Sequence, residues 1–179
     1  MTAHAFATLS TSNEWYTPPH ILDRAWRVLG GIDLDPASCA EANAQVQAAR
    51  YFTSKDDGLA HDWHGRVWLN PPYGRGRANH AAFVGKLLTE YRVGRVQAAC
   101  VLVRSATSEA WFQPLWQFPI CFVRGRVRFL SPSDGAARAG NTHGTAIAGV
   151  GVDRDRFIAE FAPLGAIFLP ILKTGETTG

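Results

Sequence analysis

Residues 67–73 read Val-Trp-Leu-Asn-Pro-Pro-Tyr, an apolar run that leads into Asn70-Pro71-Pro72-Tyr73. This tetrapeptide sets an amide oxygen, a backbone carbonyl and an aromatic plate in one rigid turn, a set suited to group transfer onto a planar amine. An exocyclic amine on an aromatic ring is a poor nucleophile, because its lone pair is delocalised into the ring. The Asn70 side-chain oxygen and the Pro71 carbonyl can each accept one of its two N–H bonds, which localises that lone pair toward an electrophile. Pro72 fixes its own φ and holds Pro71 extended, so the carbonyl is aimed before any substrate arrives. Tyr73 can then stack on the ring face, a contact worth roughly 1–3 kcal/mol in nucleic-acid sites. The plain alternative is a Pro-rich turn that ends a strand, with Asn70 as a helix cap. Its rarity, about one chain of this size in a few thousand at average residue frequencies, weighs against that reading.

Other side chains narrow the chemistry. Net charge is +3, from 18 basic and 15 acidic residues. The arginines Arg75, Arg77, Arg92, Arg95, Arg104, Arg124, Arg126, Arg128 and Arg138 crowd the middle of the chain, and guanidinium groups match phosphate geometry. A solvated surface would account for such residues equally well, but Arg75 and Arg77 follow the candidate turn directly and favour a nucleic acid. His61 and His64 lie in an apparent loop without Cys or Glu at metal spacing, so no metal site is expected. His80 follows Asn79 near a helix start, and His143 precedes a late strand from which it could face an active cleft. Cys39, Cys100 and Cys121 are odd in number and set in apolar surroundings, which reads as reduced structural thiols.

Periodicity supplies the elements that must position these groups. Pro18-Pro19 opens a helix through Leu29, which Gly30-Gly31 ends. Residues 32–35 form a short strand, and Ser38 caps a helix to about Ala49. Residues 50–65 read as irregular, 66–69 as a strand, 81–91 as a helix and 96–103 as a buried parallel strand. A helix over about 107–116 follows, then strands near 119–123, 127–130 and 145–150, and a tail with a short helix and an extended segment. The order predicts an α/β domain, a largely parallel sheet with helices on both faces and ligands at the strand carboxyl ends, which sets Asp35 beside Asn70.

With 46% hydrophobic content, 179 residues bury one core. We expect a flexible N-terminus over 1–12, one domain over 13–170 without a separate target-recognition domain, and a flexible tail over 171–179. No apolar run approaches the roughly 18 residues of a membrane span and no signal-peptide pattern is present, so a cytoplasmic protein is expected.

Asn-Pro-Pro-Tyr after a hydrophobic strand resembles the catalytic motif of S-adenosylmethionine-dependent amino-methyltransferases, which act on adenine, on guanine in RNA or on a protein glutamine. Further segments agree in content and order. Trp15-Tyr16-Thr17-Pro18, Asp33-Leu34-Asp35-Pro36-Ala37, Tyr51-Phe52-Thr53 leading to Asp57-Gly58-Leu59 with Trp63, Trp111-Phe112, and Arg124-Gly125-Arg126 leading to Phe129 are together similar to the small phage-type DNA N6-adenine methyltransferases. The resemblance spans residues 14 to about 150. It implies S-adenosylmethionine as cofactor and catalytic roles for Asn70, Pro71, Pro72 and Tyr73. It further implies Asp35, Pro36 and Ala37 near the methionine ammonium, Trp15, Tyr16, Thr17 and Pro18 folded over the methionine end, and Asp57 on the cofactor's adenine amine. Asp33 and Glu41 both remain candidates for the ribose hydroxyls.

The implied partner is double-stranded DNA, engaged through Arg75, Arg77, Arg124, Arg126 and Arg138 by a monomer or weak dimer acting in the bacterial host of a phage or prophage. Only about 30 residues separate the strands ending at Asp35 and Leu69, too few for two further strand-helix units. A trimmed Rossmann-like sheet lacking one or both outer strands is therefore predicted. Methylation of RNA guanine or protein glutamine, or a catalytically inactive DNA-binding module, stand as alternatives.

Overall fold

A proline sacrifices no hydrogen bond at a helix start, and α1 (Pro19–Leu29) begins at one, with Pro18 extended before it. Gly30 ends it in the left-handed region, its N–H bonded to the Trp26 carbonyl at 2.8 Å. The computed structural model describes residues 16–72, 79–131, 136–138 and 143–171. After α1 come β1 (Leu34–Asp35), α2 (Ala40–Val46) and β2 (Arg50–Tyr51). Cys39, in place of the expected Ser38, caps α2 by accepting the Ala42 N–H at 3.4 Å. That helix stops short of Ala49 because Gln47 turns left-handed and the Asn43 side chain takes the Ala48 N–H.

The remaining elements are β3 (Gly65–Leu69), α3 (His80–Arg92), β4 (Val96–Arg104), β5 (Ile120–Val123), β6 (Phe129–Leu130), β7 (Ala137–Arg138), β8 (Thr145–Val150), α4 (Arg154–Phe161) and β9 (Gly165–Phe168). Seven strands form one sheet in the order β2-β1-β3-β4-β8-β5-β9. The first four run parallel, with Leu34 opposite Val67 and Val67 opposite Ala99. β8 then inserts antiparallel between β4 and β5, and β9 pairs antiparallel with β5. The expectation of a largely parallel sheet is corrected to a mixed one. Continuous apolar runs report burial on both faces, and direction leaves no mark on them.

Alternation divides the core in two. Val67, Leu69, Ala99, Val101 and Val103 face α3, whereas Trp68, Cys100 and Leu102 face α1 and α4. Helices thus cover both faces, as expected. Gly149 belongs to the second face, where a Cβ would stand 2.6 Å from the Phe157 ring; its bareness lets α4 close on the sheet.

Two further expectations fail. The segment 107–116 is no α-helix. Glu109, Phe112, Leu115 and Phe118 donate to Ala106, Glu109, Phe112 and Leu115, each three residues back, and Gln113–Gln117 is a 3-10 turn. Pro114 lacks the N–H that an α-helix would use there. Residues 129–130 leave the main sheet and pair with β7 in a separate ribbon, which Tyr16 joins by a two-bond bridge to Leu130. The connection from β1 to β3 holds α2, the two-residue β2 and a 3-10 turn at Gly58–Ala60, in line with a trimmed sheet.

Candidate functional site

The chain leaves β1 toward β2 on one side and returns to β3 on the other, so the loops at the carboxyl ends of β1 and β3 part and open a crevice. A cavity of about 250 Å³ lies there, near the lower end of the roughly 300–1,000 Å³ usual for small-molecule sites. Its wall includes Tyr16, Thr17, Asp35, Pro36, Ala37, Asp57, Asn70, Pro71 and Pro72. Nine residues singled out in the sequence, drawn from four separate segments, thus share one space.

Asp35 ends β1 and is only 3% exposed. The Ala37 N–H donates to its Oδ1 at 3.1 Å. Burial pushes its pKa up from 3.8 to about 6, against smaller opposing contributions from that N–H and the Ser38 side chain. Pro36 to Ser38 are held down by β2, since the Phe52 N–H donates to the Asp35 carbonyl at 3.0 Å and the Ser38 N–H to the Phe52 carbonyl at 2.9 Å.

Asp57 reaches the opposite wall in a left-handed conformation, φ 50°, and its Oδ1 accepts the Leu59 N–H at 3.3 Å. Gly58 explains that placement. A Cβ on it would lie 2.0 Å from the Pro36 carbonyl oxygen, and its own carbonyl accepts the fully buried Trp63 Nε1–H at 2.7 Å. Only glycine lets the two loops close on each other.

Asn70 follows β3. Its Nδ2 donates to the Thr17 hydroxyl at 3.3 Å, across 53 residues of chain, and Thr17 is itself 4% exposed. In this arrangement the amide nitrogen faces Thr17 and the oxygen faces the other way. Tyr16 adds a second tie, its hydroxyl 3.4 Å from Cys39 Sγ. The segment before α1 therefore braces both the candidate catalytic turn and the start of α2.

The family model described as DNA N-6-adenine-methyltransferase (Dam) matches residues 7–151. The chain belongs to this family. No curated protein matches it. Among the described residues no group of three His, Cys, Asp or Glu side chains could hold a metal ion, and no helix is long and apolar enough to cross a membrane.

Other residues named in the sequence lie away from this wall. Pro18 contributes nothing to the cavity wall and serves α1 instead. Asp33 is paired with Arg66 at 2.8 Å, and neither it nor the exposed Glu41 lines the cavity. Cys100 and Cys121 are buried as expected, but Cys39 stands half-buried in the cavity wall. Trp15, Tyr73, Arg75 and Arg77 lie outside the described residues, as do the expected flexible ends at 1–12 and, Ile171 apart, 171–179; Arg138 lies in β7 with its side chain undescribed. Arg124 and Arg126 are exposed, and Arg126 passes close to Gly144 at the carboxyl end of β4.

Gln45, Thr53 and Ser54, to which the sequence reading gave no ligand role, also line the cavity; Thr53 stands two residues past the end of β2, and that position was the available signal. It also missed a cluster beside the cavity. Arg104 and the Trp111 Nε1–H both donate to Glu109 Oε2, at 2.7 and 2.5 Å, and Trp111 packs on His80 with ring centroids 5.2 Å apart. His80 begins α3 one turn before Phe83, which lines the cavity. Burial, reinforced by Arg104, lowers its pKa to about 4, so it stands neutral. His143 is exposed near it, ahead of β8 at the same sheet end.

Proposed function

We propose that this protein transfers a methyl group from S-adenosylmethionine to the N6 amine of an adenine flipped out of double-stranded DNA. One observation carries the reading: Asn70 and Asp35 line a single cavity at the point where strand order reverses. The donor set fits the cofactor. A buried carboxylate suits its ammonium, Asp57 with Thr53 and Ser54 suits the polar edge of its nucleoside, and Leu22, Val46, Trp68 and Phe83 give apolar walls. When bound, that group supplies an electrophilic methyl on a sulfonium.

The chain's own residues do the rest. Asn70 Oδ1 and the Pro71 carbonyl accept the two N6–H bonds and draw the nitrogen lone pair out of the ring. Thr17 fixes the Asn70 amide in the orientation this requires. Positioning supplies much of the rate, and the amine proton leaves after nitrogen has become cationic, so no strong base is needed. Tyr73 stacks on the extruded base, whose unpairing costs a few kcal/mol. Arg75, Arg77, Arg124, Arg126 and Arg138 hold phosphates or base edges.

Asn70→Ala tests this. Transfer of labelled methyl to mixed DNA should vanish while cofactor affinity stays within about threefold, since only the amine acceptor is removed. Near-parental turnover by that variant would sink the assignment, and label appearing on RNA or protein would redirect it.

A further inference from the structure

Asp35 is a carboxylate inside the fold that lacks a counter-charge. It lines the cavity at 3% exposure, and among the described residues no ion pair engages it. Among the described residues the cavity wall offers no cation. Tyr16 faces the cavity from the segment before α1, Cys39 from the start of α2 and Asp57 from the loop after β2, while Tyr51 lies opposite on β2 and Trp68 and Asn70 come from β3. Of the nearby basic side chains, Lys55 is exposed and does not line the cavity, and the arginines are engaged elsewhere. Arg24 and Arg27 pair with Glu160, Arg66 with Asp33, and Arg50 lies over the Phe52 ring. Among the described residues no charged side chain shifts the ionisation of Asp35.

We infer that Asp35 exchanges a proton for the positively charged amino group of the bound cofactor, so that the cavity selects a cationic ligand and releases a proton as it fills. The inference rests on the cofactor reading above. In the free protein desolvation keeps this carboxyl protonated up to about pH 6. An ammonium beside it favours the ionised form and drives the proton to solvent. An α-amino group titrates near 7.7–8.0, so the ligand carries its charge throughout the acid range. Affinity should therefore fall about tenfold for each pH unit below about 6, with close to one proton released per ligand at pH 5 and little at pH 7.5.

Calorimetry on the full chain reads both quantities. S-adenosylhomocysteine keeps the ammonium, and titrating it between pH 5 and 8 in pairs of buffers with different ionisation heats gives affinity and proton release together. 5′-Methylthioadenosine lacks the amino acid and should bind with flat pH dependence. Asp35→Asn should bind S-adenosylhomocysteine more weakly at pH 8 and release no proton; the unaltered protein carries the test even where that variant fails to fold. Flat affinity for S-adenosylhomocysteine from pH 5 to 8 without proton release overturns the inference alone. Absence of binding at every pH overturns the cofactor reading and the inference with it.

Discussion

The closest backbone approach in the site is at Gly58, and it sets a sharp expectation. A Cβ there would stand 2.0 Å from the Pro36 carbonyl oxygen, which is backbone and has no rotamer to escape through. Gly58→Ala must push the Asp57 loop away from the Pro36 loop. We expect a stability loss of about 1–3 kcal/mol, and weaker S-adenosylhomocysteine binding, because Asp35 and Asp57 then stand too far apart for one ligand. Gly85 is the matching control. It lies exposed inside α3 with nothing within 4 Å of a Cβ, and alanine there should stabilise by about 0.5–1 kcal/mol. Thermal melts and calorimetry of both variants decide the matter; a Gly58→Ala protein that melts and binds like the parent would show that this contact does not shape the cavity. The glycine was readable as part of Asp57-Gly58-Leu59 with Trp63. Its contact with Pro36 was not, since a close approach across 22 residues leaves no periodic trace.

Among whole elements, the link from β5 to β6 divides by side. Val127 and Phe129 turn inward to the face covered by α1, while Arg124, Arg126 and Arg128 are exposed and meet no ion pair among the described residues. Arg24, Arg27, Arg66, Arg95 and Arg104 are each held by a carboxylate. Arginines that hold the fold are thereby separated from those available to phosphate. Replacing any of the exposed three by alanine should lower the slope of log affinity against log salt by about 0.9 for duplex DNA, without changing which sequence is methylated. Anisotropy titrations between 50 and 200 mM salt check this, with Arg66→Ala expected to keep the slope and lose stability instead. An altered methylation site would show that an arginine of this segment reads bases. Elements were legible where one period ran long enough, as in α3, β4 and β8, whose observed bounds differ from expectation by a residue at most. They were illegible where identity depends on distant partners. The alternation of 127–130 looks the same in a central strand and in a two-stranded ribbon, and the apolar side chains of 107–116 fit a 3-10 turn as well as an α-helix.

For the molecule as a whole, two buried groups pull stability in opposite directions over one pH range. Asp35 has its folded pKa raised from 3.8 to about 6, so within that window the folded state binds more protons than the unfolded one, and stability falls as pH rises. His80 has its folded pKa lowered from 6.5 to about 4, so over nearly the same window the unfolded state binds more protons, and stability rises with pH. Each slope is at most about 1.4 kcal/mol per pH unit, and their opposite signs set them against one another. Between pH 4 and 6 the stability of the ligand-free protein should therefore depend on pH less than it would with His80 acting alone. Single variants expose the opposition. Asp35→Asn leaves His80 unopposed, and its stability should climb from pH 4 to 6. His80→Gln leaves Asp35 unopposed, and its stability should drop over the same range. Urea unfolding at half-unit pH steps measures all three curves. A variant whose curve matches the wild type would show that the replaced group is not held as its burial demands. Adding S-adenosylhomocysteine supplies Asp35 with its counter-charge, removes the falling component, and should tilt the wild-type curve further upward toward neutral pH.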